Sequence, residues 1–115
     1  MIHEGLRINP PFTGLVMKQV PPEGDTIDGV FVPGGTRIAH NTLAIQRNKD
    51  IFGDDVQVFR PDRWLQADAE GRAAMKQTTD LVFGYGRWAC LGKPVAYMEL
   101  NKIYVEVCDL SNLST

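Results

Sequence analysis

Cysteine is nearly absent from this chain: two residues in 115, Cys90 and Cys108. That excludes a disulfide scaffold, and both read as reduced thiols. They are too far apart for a CxxC metal pair, and no second pair exists, which argues against zinc. No apolar run reaches the ~18 residues that a membrane-spanning helix needs. The start, Met1 to Arg7, lacks the apolar core of a signal peptide. Neither sign of charge dominates. Twelve Lys and Arg against fourteen Asp and Glu leave a net charge of −2, and no basic block points to nucleic acid. There is no internal repeat and no low-complexity tract. A chain this size buries roughly 60 to 70% of its unfolded surface, so its own core is modest.

What is present is a mixed pattern. Residues 1–9 read as the end of a helix, stopped by Pro10 and Pro11. Residues 12–40 read as a β-region. Phe12 to Val20 is expected to be extended. Pro21 to Asp25 is a turn by composition. Thr26-Ile27 and Val30-Phe31-Val32 flank Asp28-Gly29, a pair that accepts the positive φ angles of a tight hairpin. Thr36 to His40 predicts a further strand after the Pro33-Gly34-Gly35 turn, and Thr42 to Arg47 a short helix. From Asn48 to Gln77 the pattern weakens. Pro61 breaks the segment 59–65, and Gly71 argues against more than a turn or two of helix over Ala67 to Gln77. From Leu91 a helix is expected to about residue 108, with Leu91, Val95, Met98 and Val105 near one stripe. The tail from Asp109 reads as frayed. The fold class expected is α+β.

The most informative stretch runs from Phe83 to Gly92: Phe83-Gly84-Tyr85-Gly86-Arg87-Trp88-Ala89-Cys90-Leu91-Gly92. It places one cysteine in a glycine-rich loop just ahead of a helix. The unpaired N–H groups and positive end of that helix favour a negatively charged sulfur. Gly84 and Gly86 let the backbone turn sharply and approach a flat ligand, and Gly92 adds freedom after the cysteine. Phe83 is placed to cover the sulfur. The ordinary alternative for Cys90 is a small buried hydrophobe. Cys108 has no such surroundings and reads as a helix-face residue. Glu4 and Arg7 lie three apart on a helix, so their side chains meet; alone, such a pair contributes little. His3 and His40 read as surface residues.

These motifs together resemble the cytochrome P450 superfamily, the heme-thiolate monooxygenases. Glu4-Gly5-Leu6-Arg7 resembles the family's Glu-x-x-Arg helix motif. Phe59-Arg60-Pro61-Asp62-Arg63-Trp64 resembles its later Pro-Glu-Arg-Phe segment, with Asp62 for Glu and Trp64 for Phe. Residues 83–92 resemble its heme-ligand loop. All three stand in the family's order, and the style is similar to fungal members such as pisatin demethylase-like enzymes. The resemblance implies a partial cytochrome P450 fold, mostly α at full length, and heme b (iron protoporphyrin) with Cys90 as axial ligand. Phe83, Gly84, Gly86, Trp88, Ala89 and Gly92 would line that cofactor. It also implies a buried charge triad of Glu4, Arg7 and Arg63.

Two positions depart from the pattern. Trp88 stands where the family usually has a basic residue bonding a heme propionate; its indole N–H brings a donor but no charge. Lys18 falls where many relatives carry another basic propionate partner, so it is a candidate source of that charge. Gln46 stands where many relatives have His. Phe12 to Leu15 match a segment that touches substrate in relatives. The resemblance further implies a small organic substrate and a reductase as redox partner, with full-length eukaryotic relatives anchored in the endoplasmic reticulum membrane. The helix over the distal heme face has no counterpart here. The expectation therefore includes an alternative: a truncated, catalytically inactive remnant of the family. A small β-rich interaction module is a distant third.

Overall fold

A computed structural model describes residues 1–112, and side chains as far as Leu110. The chain opens with helix α1 (Ile2–Ile8), which ends where Asn9 leaves helical angles ahead of Pro10 and Pro11. Strand β1 (Val16–Gln19) leads out to the hairpin of β2 (Asp25–Ile27) and β3 (Val30–Val32), and β4 (Arg37–His40) returns. Helices α2 (Thr42–Ile45), α3 (Lys49–Phe52), α4 (Arg63–Gln66), α5 (Ala69–Asp80) and α6 (Lys93–Asn112) complete it. Two short 3₁₀ turns, Leu81–Phe83 and Gly86–Trp88, lie between α5 and α6.

The β-region is two antiparallel ribbons instead of one sheet. β1 pairs with β4, Val16 opposite His40 and Lys18 opposite Ile38. β2 pairs with β3 through the Asp28-Gly29 turn, whose φ angles are +53° and +80°, the conformation that Asp-Gly was expected to supply. The extended segment is shorter than Phe12 to Val20, since residues 12–15 join no strand.

The weakly patterned middle holds more helix than its sequence suggests. α5 runs twelve residues against the expected turn or two. Gly71 does not prevent it, because it lies in the first turn, where its N–H is taken by the capping carboxylate of Asp68 at 2.7 Å. Met75 and Thr79 then bury one face. α6 also departs from expectation. It starts at Lys93 and continues through residues 109–112; residues 113–115 of the expected frayed tail lie outside the described residues. The Leu91, Val95, Met98 and Val105 stripe points outward, and Leu91 is 98% exposed. α6 packs instead through Tyr97 and Tyr104. The Tyr97 ring lies against His3 and Phe83, and Tyr104 reaches Gly5, where an added Cβ would sit 2.8 Å from its hydroxyl.

The apolar core is small: Phe52, Val56 and Met75, with Ile51, Trp64 and Ala67 against them. The largest fully buried side chains are Arg7, Gln46, Glu4 and Thr79, none of them apolar. Among the described residues no helix is long and apolar enough to cross a membrane. The radius of gyration is 17.4 Å, against about 13 Å for a compact domain of roughly this length. The chain is therefore an extended scaffold, and it is held by a polar knot as much as by oil.

Candidate heme-ligand loop and its charged support

The knot forms where α1 meets the segment around α4. Glu4 is fully buried and accepts from Arg7 Nε at 3.0 Å and Arg7 Nη2 at 2.7 Å. It also accepts from the Arg60 backbone N–H at 2.9 Å, Arg63 Nε at 3.1 Å and Trp64 Nε1 at 2.9 Å. Arg7 spends its remaining donors on the carbonyls of Gln46, Val56 and Val58. Arg63 turns to Asp55 Oδ1 at 2.9 Å and to the carbonyls of Phe52, Asp55 and Val58. Each guanidinium thus uses its whole planar fork, which a lysine cannot match. Two cations face two carboxylates, Glu4 and Asp55. Burial pushes the Glu4 carboxyl up, but the hydrogen bonds from Arg7, Arg60 and Trp64 outweigh it and hold its pKa at about 2.

Two neighbours, Gln46 and Arg47, complete the support. Gln46 is fully buried; its carbonyl takes Arg7, and its side-chain amide donates to the Thr78 carbonyl at 2.9 Å, joining α2 to α5. Arg47 donates to the carbonyls of Arg7 and Ile8, both at 2.8 Å, and caps α1. Asp55 and Trp64 belong to the knot but were not legible as members. The one available signal was Trp64, a ring bearing a donor two residues after Asp62. His3 is not a surface residue. Its ring lies 5.1 Å from Trp64 and 5.7 Å from Tyr97, and burial lowers its pKa.

The cysteine loop is built differently. Phe83 is buried, and its carbonyl accepts the Cys90 N–H at 2.7 Å, closing the loop. Gly84 makes that closure feasible. Its φ is +74°, and a Cβ there would lie 2.7 Å from the Trp88 carbonyl oxygen, so no other residue fits without moving backbone. Gly86 is also left-handed, at +57°, and its carbonyl accepts from Ala89 at 3.0 Å. Gly92 is not required by its surroundings: a Cβ would sit 3.6 Å from the Cys90 sulfur, an ordinary contact. Its closeness shows instead that Gly92 flanks the thiol.

Cys90 is exposed, not partly shielded as its sequence setting suggests. Cys90 lines a cavity of about 310 Å³ together with Phe12, Val16, His40, Thr42, Leu81, Val82, Phe83, Gly84 and Trp88. His40, expected at the surface, is half-buried here at the end of β4. Phe83 does not act as a simple cover; its ring packs on Tyr97, 5.6 Å between centroids. Lys18 and Trp88 come together, the Lys18 ammonium 5.2 Å from the indole centroid. Arg87 lies over the same ring at 4.8 Å. Glu4, Arg7 and Arg63 meet in the knot, apart from this cavity.

The donor set suits a heme. Cys90 shares the cavity lining with His40 and with mostly aliphatic and aromatic residues, and Lys18 and Arg87 lie over the ring of Trp88, one of those residues. Among the described residues no group of three His, Cys, Asp or Glu side chains could hold a bare metal ion.

Comparison with known proteins agrees with this chemistry. Residues 1–108 match the model of the family described as Cytochrome P450. The chain is 59% identical over 107 residues to cytochrome P450 monooxygenase ABA1 of Pyricularia oryzae, covering 93% of this chain and 21% of that protein. It is 44% identical over 107 residues to cytochrome P450 monooxygenase aba1 of Botryotinia fuckeliana, with the same coverage. Against cytochrome P450 monooxygenase abl1 of Leptosphaeria maculans it is 42% identical over 106 residues, 92% of this chain and 19% of that protein. The chain spans about a fifth of the length of these curated relatives.

Proposed function

The chain belongs to the cytochrome P450 family, whose cofactor is heme b, and from that premise we propose that it forms the thiolate-side wall of a heme site, with Cys90 as the iron ligand. The observation that carries this reading is that Cys90 lines a mostly apolar cavity, on a loop closed through the Phe83 carbonyl. Bound heme would supply the iron at which dioxygen is cleaved, one oxygen atom entering an organic substrate and the other leaving as water with electrons from a reductase.

The chain's own residues have defined parts in that proposal. Cys90 would hold the heme iron and supply sulfur electron density to it, the lever that favours O–O cleavage. Phe83 fixes the direction of Cys90 through its carbonyl, which accepts the Cys90 N–H. Gly84 and Gly86 shape the turn, and Trp88, Ala89 and Gly92 would lie beside the cofactor. Lys18, held against Trp88, offers the cation for a heme propionate. Glu4, Arg7 and Arg63 take no part in the chemistry; they lock the scaffold behind it. By this reading residues 1–9, 12–40, 59–65, 83–92 and 91–108 form one unit: helix end, β-region, Pro-Asp-Arg-Trp segment, ligand loop and following helix.

The test is spectroscopic. Iron protoporphyrin is added to the purified chain, reduced and exposed to carbon monoxide. The expected result is the red-shifted Soret band of a thiolate-ligated complex, lost in Cys90→Ala. The same band in Cys90→Ala would remove the ligand assignment. A second reading, a chain that holds heme without turning over substrate, is favoured by one feature: Cys90, Trp88 and Leu91, around the proposed ligand position, are all exposed. Product formation by the chain with a reductase would overturn it.

A further inference from the structure

The two helices that flank the cysteine loop are joined by one carboxylate. α5 ends at Asp80 and α6 begins at Lys93, so residues 81–92 form a loop between them. Lys93 Nζ lies 3.0 Å from Asp80 Oδ2. Tyr97, one turn further along α6, donates its hydroxyl to Asp80 Oδ1 at 2.9 Å. Asp80 thus grips the start of α6 with both oxygens, and the side chain is largely withdrawn from solvent, 19% exposed. Lys76, one turn back on α5, also reaches Oδ2 at 3.0 Å but bridges nothing beyond its own helix.

The clamp connects to the sulfur by a short physical route. The Tyr97 ring packs on Phe83, and the Lys93 ammonium sits 5.7 Å from the Phe83 centroid. Phe83 in turn holds the Cys90 amide through its carbonyl. Three contacts therefore run from Asp80 through Tyr97 and Phe83 to the backbone of Cys90. Burial raises the Asp80 pKa, but Lys93, Lys76 and Tyr97 outweigh it and keep the carboxyl below the ordinary range. Burial and Asp80 together push the Tyr97 phenol up, so it remains a donor.

We propose that Asp80 is a positioning residue for Cys90, acting as a clamp that closes the ligand loop and fixes where the thiol points. The proposal rests on the reading of Cys90 as the iron ligand, but its test does not require heme. Peptide-resolved amide hydrogen exchange is measured on the full chain. Asp80→Asn is expected to speed exchange over residues 83–92, the Cys90 amide included, by about five- to tenfold, with less than about twofold change in α1 and the β1–β4 ribbon, the pattern of a local opening. Lys93→Met is expected to do the same, and Lys76→Met, which loses a contact to the same oxygen, is expected to leave the loop unchanged. If Asp80→Asn loses its native circular dichroism, Lys93→Met carries the test alone. Equal acceleration in every segment, no acceleration in the loop, or the same effect from Lys76→Met as from Lys93→Met would overturn the clamp. Loss of the ligand assignment would show separately, as heme binding insensitive to Cys90→Ala.

Discussion

The knot around Glu4 and the loop around Cys90 are built on opposite principles. In the knot every N–H of the Arg7 and Arg63 guanidinium groups finds an acceptor within the chain, and Arg7 and Glu4 are wholly excluded from solvent. In the loop the backbone closes on itself, but the side chains do not. Cys90, Trp88 and Leu91 face outward, and the two left-handed glycines, Gly84 and Gly86, spend conformational freedom on shape instead of packing. Satisfied polar groups mark structure; a closed backbone with unspent side chains marks a place for something else. The two regions meet in the segment from α4 to α5, which carries Arg63 at one end and Asp80 at the other.

The sharpest way to break the contrast is to unpair the knot. Arg7→Met removes two of the five donors to Glu4 and the side-chain donor to the Gln46 and Val56 carbonyls, and is expected to cost about 3–5 kcal/mol by denaturant titration; a cost below ~1 kcal/mol would mean the knot is not what holds the scaffold. Acid should attack the same place. The folded Glu4 ionises at about 2 against 4.5 in the reference state, so between those values the unfolded chain binds more protons than the folded one. Stability from this group is present above pH 4.5 and lost as pH falls toward 2, by about 3 kcal/mol over the window. Thermal melts across that range should follow this slope, and Glu4→Gln should flatten it.

Smaller effects belong to the loop. Gly84→Ala forces a Cβ into a left-handed position against the Trp88 carbonyl, with an expected stability loss of about 1–2 kcal/mol. Its signature is faster hydrogen exchange of the Cys90 amide, because the Cys90–Phe83 closure is disturbed. Cys90→Ala is expected to move the unfolding midpoint by no more than about 0.5 kcal/mol, since the thiol is exposed. A large loss there would place Cys90 among the packing residues and erase the distinction between the two regions.

Local rules made much of this legible. The Asp28-Gly29 hairpin, the proline stop after α1 and the glycine turns before Cys90 are set by backbone sterics, which act over a few residues. Glu4 and Arg7 could be paired because helical spacing brings them together. Long-range partners could not be read the same way. Asp55 joins Arg63 across a loop of irregular backbone, and Gln46 is buried because α1 and α5 happen to close over it. The exposed stripe of α6 misled for the same reason: periodicity reports that a helix has faces, and only its neighbours choose which one is covered.

The sequence alone determined the family and singled out Cys90 as the candidate ligand, because a Glu-x-x-Arg helix and a glycine-framed thiol are short-range patterns written in consecutive residues. Tertiary structure decided that Glu4 ends at an ionisation near pH 2, that Cys90 stands open at a cavity wall, and that Asp80 reaches across to α6. Those outcomes depend on distances between segments far apart in the chain, and charge and solvent exclusion are set by such distances.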